Sequence, residues 1–278
     1  MKTTPIDDLL SGSVHPQESI SEWYHENTKL FPEADFAFLN DNQDPVMLAN
    51  KYVFQSDIAD KEEFIALHGK HYSTCDKITM PSPNLPKSIS LKRALEDRCS
   101  DIAFDPDHSL ELDKLSTLLF YGYGLRDSAV TEDAIHRHVP SAGALYPLEI
   151  YILALRLDGL NESSLLHYQP RGHYLEVLGT CPNAKAVAQS CLVQAETFEA
   201  GAVIFISGCT PRVKWKYGER GYRYALLEAG HVVQNLCLTA TVTGLKACPI
   251  AGYYDDAVHD LFLLDGVSEI VLYCLCIG

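Results

Sequence analysis

The stretch Pro140-Ser141-Ala142-Gly143-Ala144-Leu145-Tyr146-Pro147 runs directly into Leu148-Glu149-Ile150-Tyr151-Ile152-Leu153-Ala154. The second half reads as a strand, apolar and rich in β-forming residues. The first half is a run of small residues bounded by prolines. That composition makes a stiff, open turn whose backbone amides can lie against a flat ligand with no side chain in the way. An ordinary proline-bounded lead into a strand remains the plainer reading of this spacing.

Outward from this pair, residues 125–146 form a long loop, and loops of that length are usually functional or mobile. Before it, Ser109 to Tyr123 reads as an amphipathic helix with Asp107 or Ser109 as cap and Gly122 and Gly124 as its stop. Ser88 to Arg98 reads as a shorter helix with Leu91 and Leu95 on one face. Met80 to Pro86 is a proline-rich joint. Residues 1–85 are therefore expected to be an N-terminal extension, partly helical and without its own core, and residues 86–278 the main domain. Downstream, Leu165–Tyr168 and Tyr174–Leu178 flank Gln169-Pro170-Arg171-Gly172 as a hairpin. A helix over Asn183–Phe198, a strand over Ala202–Ser207 and a long helix over Glu219–Thr243 follow. A short strand before Pro249, a helix over Asp255–Leu263 and a strand over Ile270–Ile277 complete the chain. Strands and helices do not alternate regularly, which favours an α+β sandwich over a doubly wound sheet.

The chain has 278 residues, 47% of them hydrophobic, enough for one large core. Its formal net charge of -15 repels nucleic-acid phosphates and anionic membrane surfaces, so neither is an expected partner. With no signal-like segment at Met1 to Ser13 and no long uncharged apolar run, a cytoplasmic location is expected. The 9 cysteines are odd in number and none has CxxC spacing, which points to reduced, buried thiols. No metal site is expected.

Four short segments carry candidate chemistry. Pro140, Ser141, Ala142 and Gly143 are the loop already described. Arg98 and Ser100, two apart at a helix end, could hold one phosphate by a guanidinium fork and a hydroxyl; a solvated helix end is the plainer reading of this fragment in isolation. Lys214 to Tyr224 is dense in bases and aromatics within an acidic protein. Lys216 beside Tyr217 could move a proton if burial lowers the lysine's pKa. Read as a helix start, the segment sets basic residues against the helix dipole, a local conflict that favours function. Cys248 to Tyr253 again brings small residues and backbone amides together. His136 and His138 read as solvated loop histidines, and His231 as a satisfied core histidine.

Taken together, PSAGALYPLEIY, KYGERGYRYALLEAGH and the closing GLKACPIAG resemble the SagB-type dehydrogenase (azoline oxidase) branch of the FMN-dependent nitroreductase superfamily, over roughly residues 88–278. The resemblance implies a nitroreductase-like sandwich, a mixed sheet flanked by helices, in an intertwined homodimer with two shared FMN sites. It implies that Arg98 and Ser100 hold the flavin phosphate and ribityl chain. Ser141, Ala142 and Gly143 would approach the flavin, in this superfamily often from the partner subunit. Ile250, Ala251 and Gly252 would face the flavin N5 and O4 edge, and Lys216 with Tyr217 would abstract the proton. Ala144 and Tyr146 stand where general nitroreductases carry Asn and Gln, which favours the SagB-type branch. Asp101 and Ile102 replace the basic residue often found after the Arg-x-Ser motif, so Arg137 or Arg223 is the expected supplement at the phosphate.

The expected function is oxidation of azoline to azole rings on a peptide or carrier-bound substrate, with dioxygen reoxidising the flavin and a cyclodehydratase complex as a possible partner. The alternatives are an NAD(P)H-dependent reductase of nitro, quinone or activated alkene groups, and a non-catalytic scaffold subunit.

Overall fold

The computed structural model describes residues 69–86, 88–126, 136–160, 163–194 and 199–278, the side chain of Trp215 excepted. The joined strand and loop at 140–154 lie at its centre. β2 (Leu148–Ala154) is buried at every residue. It can be so because helices cover both faces of the sheet, which explains its nearly unbroken apolar sequence.

The described strands are β1 (Asp76–Thr79), β2, β3 (Ser164–Gln169), β4 (Tyr174–Thr180), β5 (Ala202–Cys209), β6 (Ala247–Ile250) and β7 (Glu269–Ile277). They form one sheet in the order β1-β4-β3-β2-β5-β7-β6. Each ladder between these strands is antiparallel. Parallel pairing enters through a bridge between Leu110 and Leu157. The helices are α1 (Leu91–Asp97), α2 (Leu112–Tyr123), α3 (Ala184–Cys191), α4 (Pro211–Tyr217), α5 (Arg220–Thr243) and α6 (Asp255–Phe262). The chain is thus the α+β sandwich the sequence predicts.

Alternation along β2 divides two cores. Leu148, Ile150 and Ile152 join Leu115, Leu118 and Leu119 of α2 and Val232 and Leu236 of α5. Tyr151 and Leu153 join Ala188 of α3 and Val258 and Phe262 of α6. Gly122 lets α2 approach α5: a Cβ there would lie 2.2 Å from Leu236 Cδ2.

Several local expectations are corrected. β1 lies ahead of the proline-rich joint and pairs with β4, so the sheet starts before residue 86. Leu91 and Leu95 are 69% and 52% exposed, and Ala94 is the residue α1 buries. α2 begins with Glu111 as its cap residue, without a side-chain cap bond, rather than at Asp107 or Ser109. His231 is exposed on α5 instead of sitting in the core. The C-terminal part of the helix expected over 183–198 lies outside the described residues, apart from Leu192 to Gln194, which follow α3.

A polar network crosses the second core. Glu149 accepts from His167 at 2.9 Å and from the Lys70 amide at 2.7 Å, and pairs with Arg212 at 2.5 Å. The other His167 nitrogen meets Glu176 at 2.8 Å, and Glu176 also takes the Tyr72 amide at 3.1 Å. Tyr151 and Ser207 donate to Glu269, which pairs with Lys70. Burial alone would raise the Glu149 carboxyl; Arg212, then His167, and the Lys70 amide pull it down to about 2. The network ties residues 70–72 to the sheet. Through Arg212 it also ties down the start of α4.

Candidate functional site

The loop that leads into β2 is held in an unusual backbone. Leu125 bridges to Arg137, and His138 N donates to the Gly124 carbonyl at 3.2 Å, which closes the base of the loop. Its residues 127–135 lie outside the described set. Beyond Pro140 a 3-10 turn covers Ala142–Ala144. Gly143, Ala144 and Tyr146 have φ of 61°, 55° and 46°. Only glycine takes such values without cost, so Ala144 and Tyr146 are strained and must be held by their neighbours.

Gly143 faces the Lys-Tyr pair. A Cβ there would stand 2.7 Å from Tyr217 Oη and 2.8 Å from Lys216 Nζ. The structure therefore brings together two of the four segments singled out in the sequence. Lys216 and Tyr217 form the last turn of α4, which Pro211 opens and Gly218 ends with φ 54°. This corrects the dipole argument: the lysines sit at a helix C-terminus, where positive charge is favourable, and not at a helix start. Lys216 is half-buried, and its Nζ lies 5.6 Å from the centre of the Tyr217 ring. Tyr217 packs edge-on against Tyr224 at 5.1 Å, and burial, with Tyr224, raises its phenol pKa.

Arg137 is buried beneath the same loop. Its guanidinium lies 4.1 Å from the Tyr123 ring centre and 5.1 Å from that of Tyr146. Its backbone N–H donates to Tyr146 Oη at 3.0 Å. Glu228 of α5, 3% exposed, takes the Tyr123 hydroxyl at 3.2 Å, and the Ser141 side chain lies beside its carboxyl. Burial pushes its carboxyl up to about 7, against the opposing pull of Ser141, Arg137 and Tyr123. Glu228 was missed in the sequence although a signal exists: Ala225, Glu228, Ala229, Val232 and Leu236 share one helical face.

Arg98 and Ser100 lie elsewhere. Arg98 ends α1, half-buried, near Cys237 of α5, and Ser100 is exposed. The next residue, Asp101, donates its N–H to the Ala247 carbonyl at 3.1 Å, so this segment runs beside β6. β6 ends at Ile250, buried; Ala251 is exposed, and the Gly252 carbonyl takes the Val193 N–H at 3.1 Å. Asp97, Cys99, Asp101 and Lys246 line an open cleft of ≈ 260 Å³ there. Lys246 is a base near this segment that the sequence reading passed over. Arg137, one of the two expected supplements with Arg223, lies against the Tyr123 and Tyr146 rings.

The candidate residues thus form two groups that flank α5 at different heights. Tyr224 packs on Tyr217 of the Lys-Tyr pair and Cys237 lies near Arg98; the 13 helical steps from Tyr224 to Cys237 correspond to a rise of about 20 Å along α5. Among the described residues no helix is long and apolar enough to cross a membrane, and no group of three or more His, Cys, Asp or Glu is placed to hold a metal.

This α+β sheet between two helical layers has the fold of a nitroreductase: residues 95–278 match the nitroreductase family, and the chain belongs to it. Among its relatives, the protein named Putative nitroreductase MJ1384 of Methanocaldococcus jannaschii is 33% identical over 170 residues, which cover 61% of this chain and 79% of that one. The microcin B17-processing protein McbC of Escherichia coli is 32% identical over 172 residues, 60% of this chain and 61% of the relative. The match therefore spans under two thirds of McbC. A chain of the E. coli microcin synthetase McbBCD complex with truncated pro-MccB17 bound shares the fold, with a TM-score of 0.59 and 22% identity over 100% of this chain and 97% of that one.

Proposed function

We propose that the protein is an FMN-dependent oxidoreductase that converts azoline rings of a peptide or carrier-bound intermediate into azoles, as a homodimer with shared FMN sites. The observation that carries this reading is Gly143 packed on Lys216 Nζ and Tyr217 Oη. It puts a proton-transfer pair beside a loop whose backbone is bare on that side. The likeness to McbC, a microcin-processing protein, supports a peptide heterocycle as substrate. The likeness to a chain of the McbBCD complex supports work alongside a cyclodehydratase.

The residues present fit FMN. Arg98 offers a guanidinium fork and Ser100 an exposed hydroxyl for the phosphate, next in sequence to residues that line a cleft with Lys246. Asp97 and Asp101 line that cleft too, so phosphate binding works against some negative charge. Ser141, Ala142 and Gly143 would lie against the ring system, and Ile250, Ala251 and Gly252 would meet its N5 and O4 edge. When bound, FMN supplies two-electron acceptance as hydride.

The chain's own task is the proton. Aromatising an azoline removes a hydride and a proton from adjacent ring carbons. Lys216 takes the proton, which requires its neutral form at the moment of transfer, and Tyr217 orients it through the contact at Gly143. The favourable open faces for a second copy are Leu91 and Leu95 of α1 and Leu226 and Leu227 of α5, 39–69% exposed in the single chain.

The test is the visible spectrum of the purified protein with FMN, followed anaerobically. A flavin band that NADPH leaves intact and an azoline peptide bleaches is the expected result. Rapid bleaching by NADPH alone would replace the oxidase by a nitro, quinone or alkene reductase, the reading that the MJ1384 likeness favours. Lys216→Ala is expected to keep its flavin and lose turnover; retained turnover would remove Lys216 from the mechanism.

A further inference from the structure

The strained loop needs something to hold it. Ala144 and Tyr146 adopt left-handed backbone that a side chain disfavours, yet the loop makes few backbone bonds of its own between Ser141 and Leu145. The restraints come from one buried cluster. Ser141 Oγ accepts the Tyr146 N–H at 2.9 Å, which closes the loop on itself. The same Ser141 side chain lies beside the Glu228 carboxyl and lowers its pKa, which sets the closed loop against α5. Glu228 also takes the Tyr123 hydroxyl, and that hydroxyl accepts the Leu148 N–H at 3.2 Å, where the loop becomes β2. Arg137 lies between the Tyr123 and Tyr146 rings and supplies the positive charge that faces the carboxyl. Both ends of the segment 141–148 therefore converge on Glu228. The proton-transfer chemistry outlined above gives this residue no part.

We propose that Glu228 is the positioning residue of this loop: its carboxyl grips Ser141 and Tyr123 together and so holds Gly143 against Lys216 and Tyr217. Glu228 touches neither the pair nor the place of the ligand. It acts through Ser141. The consequence for cofactor affinity rests on the FMN reading; the grip on the loop does not.

Hydrogen exchange of the full chain at pH 7 reads the grip directly. In Glu228→Ala, peptides spanning 137–147 are expected to exchange at least about tenfold faster, while β2 and β5 keep wild-type rates. Glu228→Gln keeps an acceptor oxygen and is expected to stay within about threefold of wild type. A general loss of stability would speed all peptides alike and would show no such rescue. FMN titration of the same proteins is expected to show about tenfold weaker binding in Glu228→Ala, restored by Glu228→Gln. Unchanged loop exchange in a folded Glu228→Ala would overturn the proposal, as would equal loosening by both variants. Should Glu228→Ala fail to fold, Ser141→Ala removes the same contact from the loop side, and an unchanged loop there overturns it too. Loop loosening together with no FMN binding by the wild type would discard the flavin reading and leave the positioning role standing.

Discussion

Replacing Glu228 by Gln should change how stability depends on pH. The Glu228 carboxyl is buried, and its pKa rises from 4.5 to about 7. A carboxyl whose folded pKa lies above its unfolded value binds its proton more tightly in the native state. It therefore contributes stability that is full below pH 4.5 and is lost as pH rises to about 7. The 2.5-unit difference between the two pKa values is worth about 3 kcal/mol once both states are ionised, and about 1 kcal/mol of that loss is already present at pH 5. Gln carries no such term. Relative to wild type, Glu228→Gln should gain about 2 kcal/mol between pH 5 and pH 8.5. At roughly 2–4 °C per kcal/mol, this widens the Tm difference by roughly 4–8 °C. Paired thermal melts at the two pH values measure it, and groups that titrate alike in both proteins cancel in the comparison. A Tm difference that stays constant with pH would refute the argument, because Glu228 would then titrate as it does in the unfolded chain.

Two further outcomes follow from the same geometry. Gly143→Ala puts a Cβ 2.7 Å from Tyr217 Oη and forces a side chain onto a φ of 61°, which costs about 1–2 kcal/mol and pushes the Lys-Tyr pair aside. Turnover should fall by at least about tenfold while Tm drops only a few degrees; an active Gly143→Ala would show that the contact does not matter. Arg212→Ala strips Glu149 of its partner inside the second core and should cost about 3–5 kcal/mol in urea unfolding. A loss under about 1 kcal/mol would mean that His167 and the Lys70 amide suffice to hold the carboxylate.

Much of the fold could be read from sequence wherever burial left a period. β2 and β5 are buried on both faces and mostly apolar, and α5 repeats its buried residues every three to four positions, so their boundaries fall within about two residues of expectation. β1 has the sequence DKIT and mostly exposed side chains. Its place in the sheet comes from a backbone ladder to β4 and from the ties at residues 70–72, neither of which leaves a pattern in its own residues. α4 was hidden for a different reason: the break at Gly218 separates two helices whose residues read as one basic start. The Lys-Tyr pair and the loop were both legible as segments, and only the long-range packing at Gly143 joined them. Glu228 shows the reverse: a charged residue on an apolar face, which its own sequence neighbourhood does not mark as a link to the loop.

The separation of the candidate residues along α5 leads to a last prediction. Lys216 and Tyr217 pack on the loop within one chain, while Arg98 lies about 20 Å along the helix axis, beside β6. If the loop serves a flavin whose phosphate is held by another copy, Lys216 must come from that same copy as the loop, opposite to Arg98. Complementation tests this. In a mixed dimer of Arg98→Ala with Lys216→Ala, sites assembled across the interface are one doubly damaged and one intact. Sites built within single chains are both damaged. Random pairing makes half of the dimers mixed, each with one good site of two, so co-expression should restore about a quarter of wild-type turnover from two inactive variants. No recovery in confirmed mixed dimers would place Arg98 and Lys216 at the same site in one chain, and the shared arrangement would have to be abandoned.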